Sequence, residues 1–448
     1  MKRLYLLLSI LSVAAVLTAQ DNLETMLSAA DDSLGVMQPA AIDTLTAPCA
    51  VADGSMTDTI TAQYPCDAAS PLDTTGYAAF PRVSLLTCTP GIEIWEQYGH
   101  TAIRYEDPEE KIDVVFNYGL FSFQAPHFAW RFCTGQTDYL VGVEDYPYFE
   151  VEYLERGSAI KVQVLDMKPD EVARFWSLIT TNCRKENRTY RYNFFYKNCS
   201  TMARDILYQS LDNPVTFAPC ESVTLRDILH EHNEGYPWAS FAIDLVLGVE
   251  ADRLVDHTLQ EFAPDRLYRT FSTAQTDGKP LVKEEDTIGP EVSLPDFFRF
   301  PLTPTQTMYL LLLLTAIICV FELLIEKRQW VYDILLYGLQ GVMGIVIAFL
   351  FFFSGHPAVD TNILVVLFNP LIWVLLPFII RSPRRKHNLW ACWVELALIA
   401  ALAITELVVK QQIPVALWVL TASLLLRTIH HIVLKFYLQS RRSKVVDD

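Results

Sequence analysis

Residues 307–325, TMYLLLLLTAIICVFELLI, form the stretch that decides how this chain folds. They hold one charged residue, and a helix of this length rises roughly 28 Å, close to the hydrocarbon thickness of a bilayer. Four more apolar stretches follow, at residues 331–353, 361–381, 389–409 and 413–436. The sequence therefore predicts an all-α five-helix transmembrane bundle over residues 306–437.

Basic residues orient the predicted spans. They follow the first span, fill the loop between the third and fourth, and follow the fifth, whereas the other two loops hold one lysine between them. By the positive-inside rule, the part before residue 306 lies outside and residues 438–448 form a cytoplasmic tail. The basic residues are Lys327, Arg328, Arg381, Arg384, Arg385, Lys386, Arg441, Arg442 and Lys444.

The amino terminus has the pattern of a secretory signal. Lys2 and Arg3 precede a short apolar core at residues 4–16. This predicts a signal peptide over residues 1–20, with an uncleaved anchor as the alternative. Residues 21–80 are rich in Ala, Asp, Ser and Thr without an apolar period, which predicts a disordered arm.

The outer part is acidic. Residues 21–300 carry a formal charge of about −23, against −17 for the whole chain. Because contacts to phosphates need a basic face, we expect no nucleic-acid partner.

Residues 81–272 are typical of an α+β domain, since strand-like runs alternate with helix-like runs. Residues 273–305 hold several prolines and charged residues, which predicts an extended connector to the first span. The predicted strands cover residues 83–88, 100–105, 112–118 and 159–165, and the predicted helices 126–132, 169–181, 196–208 and 224–230.

Seven cysteines precede the first span, an odd number that leaves at least one thiol unpaired if the others form disulfides. Three disulfides with one free thiol is one arrangement, and the sequence does not define the pairing. There is no CxxC, so a zinc or redox motif has no support, and we expect neither metal nor cofactor. The seven are Cys49, Cys66, Cys88, Cys133, Cys183, Cys199 and Cys220.

Cys199 has the best setting for reactivity. It follows Asn198, a good N-cap residue, and begins an apolar-periodic run. The free N–H groups and positive dipole end of a first helical turn favour the thiolate, which is the nucleophilic form. The alternative is a buried cysteine that only packs.

A nucleophilic cysteine needs a base, and His100 is the leading candidate because it follows Gly99 at the start of a predicted strand. Asn117 on the neighbouring strand is the candidate that orients the imidazole, with Asp113 and Glu106 as rivals. The alternative for His100 is a strand residue without catalytic function.

Other catalytic motifs are missing from the sequence, including G-x-S-x-G, HExxH, the P-loop and GxGxxG. His230 and His232 are two residues apart, so on a helix they face apart and do not predict a metal site.

Charged residues inside the predicted spans are expensive and often functional. We expect Glu395 to line a polar cavity or to be structural. Glu406 and Arg427 lie near span ends, where they can snorkel. His430 and His431 are expected at the cytoplasmic interface.

Several separate blocks resemble the Lnb-type lipoprotein N-acyltransferase family. The resemblance spans roughly residues 81–270 in matching order, and the five-span tail fits the same layout. The blocks are YGHTAIR at 98–104, FNYG at 116–119, TGQTDYL at 134–140 and YNFFYKNCST at 192–201, followed by Arg204 and Asp205.

The order of histidine first and cysteine later also resembles circularly permuted papain-like folds of the NlpC/P60 and lecithin–retinol acyltransferase class. This implies a permuted papain-like (NlpC/P60-like) periplasmic domain with Cys199 as nucleophile and His100 as general base. The orienting position, often a second histidine in that class, is Asn117 here.

The resemblance implies acyl transfer in a bacterial inner membrane. Cys199 would take a fatty acyl chain from a phospholipid donor as a thioester, and the terminal amine of a diacylated apolipoprotein would accept it. An aromatic run would form an acyl-chain groove, touch the bilayer, or simply be core; it comprises Phe121, Phe123, Phe128, Trp130 and Phe132. Tyr139, Tyr146 and Tyr148 share this ambiguity.

Two other functions remain open. A cell-wall amidase or peptidase of the NlpC/P60 kind would keep the same Cys–His pair, although it needs only an anchor. A non-enzymatic envelope assembly protein would use Cys199 structurally.

Overall fold

The computed structural model describes residues 80–91, 96–122, 125–290, 300–381 and 389–447. The predicted signal peptide, nearly all of the predicted disordered arm, Cys49, Cys66 and Phe123 lie outside the described residues. So do the basic residues Arg384, Arg385 and Lys386 of one loop.

In the described residues, seven antiparallel strands form the central sheet of the amino-terminal domain. The strands are β1 (Arg82–Cys88), β2 (His100–Asp107), β3 (Ile112–Leu120), β4 (Asp138–Asp145), β5 (Ile160–Leu165), β6 (Thr189–Arg191) and β10 (Val282–Ile288). Their order in the sheet is β10-β5-β1-β2-β3-β4-β6. A second, three-stranded sheet comprises β7 (Val215–Thr216), β8 (Gln275–Thr276) and β9 (Lys279–Pro280).

Eight helices accompany the sheets in the described part of this domain. They are α1 (Phe128–Cys133), α2 (Tyr146–Glu155), α3 (Pro169–Cys183), α4 (Cys199–Ser210), α5 (Leu225–His232), α6 (Pro237–Val246), α7 (His257–Gln260) and α8 (Pro264–Thr273). A 3₁₀ turn covers Val249–Asp252.

Side chains alternate between the two faces along each strand, so the main sheet has two apolar faces, and helices cover both. Leu85 and Phe116 face the side covered by α3, α4 and α8. Leu86, Ala102 and Val115 face the opposite side, covered by α2. The α+β class predicted for this domain is therefore what the structure shows.

Part of the predicted connector belongs to the sheet. β10 pairs with β5, with Ile288 opposite Ile160. Its sequence, VKEEDTI, has little apolar alternation because it is an exposed edge strand. The ordered domain thus extends to at least Ile288, and the connector is shorter than predicted.

Four helices in the described part are long and apolar enough to cross a membrane. They are α9 (Pro304–Ile325), α10 (Trp330–Phe353), α12 (Trp390–Val409) and α13 (Val415–Asp447). Within this part the chain is thus a multi-pass membrane protein.

The predicted third span is not one continuous helix. A 3₁₀ turn at Ile363–Val366 precedes α11, which covers only Leu371–Arg381. Eleven residues rise about 17 Å, well short of the hydrocarbon thickness. Pro370 precedes α11, and Pro377 lies inside it, so two backbone donors are missing where a long helix needs them.

The amino-terminal domain is docked on the loops of the membrane part. Asn362 donates a 2.9 Å bond to the Leu245 carbonyl, and Gln411 donates one of 3.2 Å to Leu247. A Cβ on Gly248 would lie 2.3 Å from the Thr361 backbone carbon, so only glycine allows this approach. These contacts fix the domain against the loops.

Arg427 does not snorkel, so that prediction is wrong. Its side chain is fully buried and forms ion pairs of 2.7 Å with Glu322 and 2.6 Å with Asp333. His430 bonds Glu322 and His431 bonds Asp333, so neither histidine lies at an open interface. The two acids and the three basic residues together lie on three different helices, and a buried charge is tolerated only when it is paired in this way.

The two other acidic residues considered in the predicted spans, Glu395 and Glu406, differ in burial. Glu395 is buried and accepts a 2.8 Å bond from Gln340, and its second carboxyl oxygen has no partner in the described part of the chain. Glu406 is half-buried near the end of α12.

Candidate active site

Cys199 is the first residue of α4, as predicted from its N-cap. Asn198 Oδ1 accepts a 2.9 Å bond from the Thr201 amide, and Thr201 Oγ1 accepts one of 2.9 Å from the Asn198 amide. Asn198 Nδ2 also donates to the Phe262 carbonyl at 2.7 Å. The buried asparagine thus fixes the position of the cysteine from both sides.

His100 begins β2, and its ring stacks on Tyr153 with centroids 5.8 Å apart. The next residue, Thr101, shares a buried 2.9 Å hydrogen bond with Ser200, the residue after the cysteine. This bond ties the start of β2 to the start of α4. The two candidate catalytic residues are therefore neighbours on elements that are bonded to each other.

The structure brings Cys199, His100 and Asn117 together in one chain of contacts. Cys199 and His100 line the same cavity and each shifts the pKa of the other, and His100 Nε2 lies 2.7 Å from Asn117 Oδ1. Because an amide oxygen only accepts, Nε2 carries the proton there, which leaves Nδ1 to accept from the thiol.

The two rival orienting residues lie elsewhere. Asp113 forms a bidentate pair with Arg104, at 2.7 and 2.8 Å. Glu106 pairs with Arg82 at 3.5 Å. Neither contacts His100, so Asn117 alone of the three candidates occupies the orienting position.

Glu144 is a further site residue, and the sequence did not indicate it. Its Oε1 accepts a 3.1 Å bond from Asn117 Nδ2, which fixes the amide with its oxygen toward His100. Glu144 lies on β4, opposite Val115 on β3. This strand alternates buried Tyr139, Val141 and Val143 with less buried residues, but it is missing from the predicted strands. Only the sheet register places it beside Asn117.

Gly119 lies directly beside the cysteine and the histidine. It has φ +97° and lies at an irregularity in the β3–β4 pairing. A Cβ placed there would lie 3.7 Å from Cys199 Cβ and 3.8 Å from His100 Cε1. A larger side chain would point directly at both candidate catalytic residues.

The electrostatics favour an ion pair. Burial raises the pKa of the Cys199 thiol, but the charge and hydrogen bond of His100, with the Thr101 N–H and the Ser200 hydroxyl, lower it below its ordinary value overall. Burial lowers the pKa of His100, and Cys199 and Asn117 raise it overall. The lowered pKa of Cys199 and the raised pKa of His100 both favour a thiolate paired with an imidazolium.

A cavity of about 560 Å³ opens in front of the pair. Cys199, His100 and Asn117 line it together with charged residues such as Glu152, and many of the remaining lining residues are aromatic. The aromatic wall residues include Phe121, Phe128, Phe132, Tyr139, Tyr192 and Phe194. Arg156, paired with Glu96 at 3.3 Å, also lines the cavity.

Among the described residues, the remaining aromatic and histidine residues considered in the sequence lie outside the lining of this cavity. Trp130 contacts Phe349 of the membrane part, Tyr146 is buried in the core, and Tyr148 is 73% exposed. His230 and His232 form separate ion pairs with Asp244 and Asp265, at 2.9 and 2.8 Å.

The arrangement with three disulfides is wrong. Five of the seven cysteines before the first span are described, and all five are free thiols: Cys88, Cys133, Cys183, Cys199 and Cys220. Cys88 and Cys183 are buried, and Cys133 and Cys220 are exposed.

Two family models match the chain. Residues 77–231 match the Lnb N-terminal periplasmic domain, and residues 296–439 match the Lnb transmembrane domain. No curated protein and no solved structure matches the chain. Because the two matches cover the first part of the sheet domain, up to residue 231, and then the apolar helices, the chain belongs to the Lnb-type lipoprotein N-acyltransferase family, as a multi-pass membrane protein with a periplasmic amino-terminal domain.

Proposed function

We propose that the chain moves a fatty acyl group from a phospholipid to the free terminal amine of a diacylated apolipoprotein, through a thioester on Cys199. The supporting observation is a cysteine with a lowered thiol pKa that lines a cavity rich in aromatic residues. The site lies on a domain docked against a membrane bundle.

In the first half-reaction, the Cys199 thiolate attacks the ester carbonyl of the donor. The ester C–O bond breaks, a C–S bond forms, and the lysophospholipid alkoxide leaves with a proton from the His100 imidazolium. The Cys199 backbone N–H, in the first turn of α4, is positioned to stabilise the oxyanion because it has no intrahelical acceptor.

In the second half-reaction, the apolipoprotein amine attacks the thioester. The C–S bond breaks, an amide forms, and His100 takes the proton of the amine while Cys199 leaves as thiolate. Splitting the transfer lets donor and acceptor use one site in turn. Asn117 and Glu144 keep the imidazole in the same orientation in both steps.

The same order of elements, a histidine on a strand and a later cysteine at a helix start, supports the permuted papain-like description of this domain. We also place the carboxyl terminus in the cytoplasm, from the loop charges. A cell-wall amidase would use the same pair, but an aromatic cavity fits an acyl chain better than a peptidoglycan stem. A purely structural cysteine does not need a lowered pKa.

Lipoproteins from living cells test the proposal. In cells without the chain and without another such enzyme, we expect lipoproteins to keep a diacylated terminus with a free amine. The wild-type chain and Cys133→Ala, a variant of an exposed thiol, should restore triacylation, whereas Cys199→Ala should not. Fully triacylated lipoproteins in the cells that lack the chain would refute the proposal.

A further inference from the structure

Aromatic rings run without a break from the cysteine cavity to the membrane part. Tyr139 stacks on Phe121 at 4.8 Å, Phe121 on Phe128 at 5.4 Å, and Phe128 on Phe132 at 6.0 Å between centroids. Phe132 then contacts the His356 ring at 5.7 Å. We call Phe121, Phe128, Trp130 and Phe132 the aromatic ramp.

The ramp rests on the end of α10. Trp130 packs on Phe349 at 5.2 Å, and Phe349 stacks on Phe353. The Gly355 amide donates a 3.0 Å bond to the Thr134 carbonyl, just after α1. His356 Nε2 lies 2.6 Å from the Phe132 carbonyl oxygen. α1 is thus held at the point where α10 ends.

Trp130 and Phe132, the ramp residues that contact the membrane part, adjoin an apolar surface at the end of α10. Trp130 and Phe132 are 46% and 41% exposed, and Phe352 and Phe353 at the end of α10 are 68% and 56% exposed. Exposed apolar residues on a transmembrane helix face lipid. The ramp is therefore continuous with a surface that contacts the bilayer.

The charge on α1 does not interrupt this surface. Arg131 forms a 2.8 Å ion pair with Asp138 and hydrogen-bonds the Gln136 carbonyl. α1 has no buried residue, so its aromatic side chains are not required to fill the core of the sheet domain. Exposed aromatic side chains in this position need an apolar partner.

We propose that the aromatic ramp guides one acyl chain of a bilayer phospholipid from the membrane to Cys199. The inference rests on the proposed function, because it takes the donor of the thioester to be a bilayer lipid. An acyl chain that crossed water to reach the cavity would lose its apolar surroundings. Along the ramp, it exchanges lipid contacts for aromatic ones.

The test compares two acyl donors on the full-length protein in phosphatidylethanolamine vesicles. One donor is the long-chain bilayer lipid, and the other is p-nitrophenyl acetate, which is soluble and short. The readout is the rate of acyl-Cys199 formation from the bilayer lipid divided by the rate of its formation from p-nitrophenyl acetate. The variants are Trp130→Glu and the matched control Tyr148→Glu, an exposed aromatic on α2.

We expect Trp130→Glu to lower this ratio by about tenfold, since the acyl chain must pass a charge. Tyr148→Glu should leave the ratio at the wild-type value. An unchanged ratio in Trp130→Glu would overturn the ramp while the acyltransferase function stands. Absence of acyl-Cys199 from both donors in the wild type would instead refute the proposed function itself.

A photoreactive lipid gives a second readout that does not depend on turnover. Cys199→Ala is placed in vesicles whose phosphatidylethanolamine carries a diazirine near the end of one acyl chain, and is then irradiated. Labelling of peptides that contain residues 128–133 supports the ramp. Labelling confined to the other lipid-facing helices would contradict it.

Discussion

His100 Nε2 lies 2.7 Å from Asn117 Oδ1, while Asn117 Nδ2 donates a 3.1 Å bond to Glu144. The asparagine amide can therefore present only its oxygen to the histidine. This fixes the imidazole tautomer with the proton on Nε2 and leaves Nδ1 for the cysteine. Cys199, His100 and Asn117 thus have the arrangement expected of a cysteine nucleophile whose base is held in one orientation.

Removal of the orienting amide should slow acylation without stopping it. We expect Asn117→Ala to lower the rate of acyl-Cys199 formation by about tenfold to a hundredfold, less than the loss of the base itself. Glu144→Ala should have a smaller effect, because it acts through Asn117. Asn187→Ala, an exposed asparagine, serves as the control. A wild-type rate in Asn117→Ala would exclude the orienting role.

The thiol pKa predicts how alkylation depends on pH. Because the pKa of Cys199 is lowered, its thiolate persists to lower pH, and iodoacetamide should react with it below the pH at which ordinary thiols begin to react. The residue Cys133 is exposed, but its neighbours partly desolvate the thiol and raise its pKa, so it should react only at higher pH. Peptide-resolved alkylation rates measure both in one sample.

In His100→Ala, Cys199 should no longer be alkylated at a lower pH than ordinary thiols. Without the imidazole, burial dominates and the pKa of Cys199 rises, so its alkylation should shift to higher pH. The Cys133 profile should stay where it is. If the Cys199 profile did not move, the ion pair with His100 would be ruled out.

Gly119 separates a backbone requirement from a site requirement. Gly119→Ala should cost about 1–2 kcal/mol in the free energy of unfolding, because alanine is strained at positive φ. Gly278 has φ +72°, and a Cβ there would meet no heavy atom of the described residues within 4 Å, so Gly278→Ala should cost a similar amount. Only Gly119→Val should also abolish acylation, since its side chain points at Cys199 and His100. Full activity in Gly119→Val would contradict this placement.

The buried ion network should stabilise the membrane part only as a complete set. Arg427→Leu removes the one cation that pairs with both Glu322 and Asp333 among the described residues, and breaking such buried pairs costs about 3–5 kcal/mol. We expect a clearly lower Tm in detergent, whereas Arg269→Leu, at an exposed arginine, should change little. Equal Tm values for the two variants would mean that the network does not stabilise the bundle.

The sequence predicts best where the signal is local. Cys199 follows an N-cap residue and His100 follows Gly99, and both features are visible within a few residues. Glu144 and β10 escaped because their positions depend on strand pairing with distant segments. The interpretation of Arg427 failed for the same reason, since its partners Glu322 and Asp333 lie about a hundred positions away.

The broken third span shows a different limit. Hydropathy over residues 361–381 is high enough for a span, but it does not register what Pro370 and Pro377 do to a backbone. Composition indicates how apolar a segment is, whereas the proline positions decide whether it forms one helix.

The most direct test is the intact mass of the purified full-length protein after incubation with phosphatidylethanolamine vesicles. We expect an added fatty acyl group, located on Cys199, that hydroxylamine removes and that a diacylated peptide with a free terminal cysteine amine accepts. Cys199→Ala should show no such adduct, while Cys133→Ala should show it in full. An unmodified wild-type protein, under conditions in which lipoprotein peptide nevertheless becomes acylated, would contradict the thioester at Cys199.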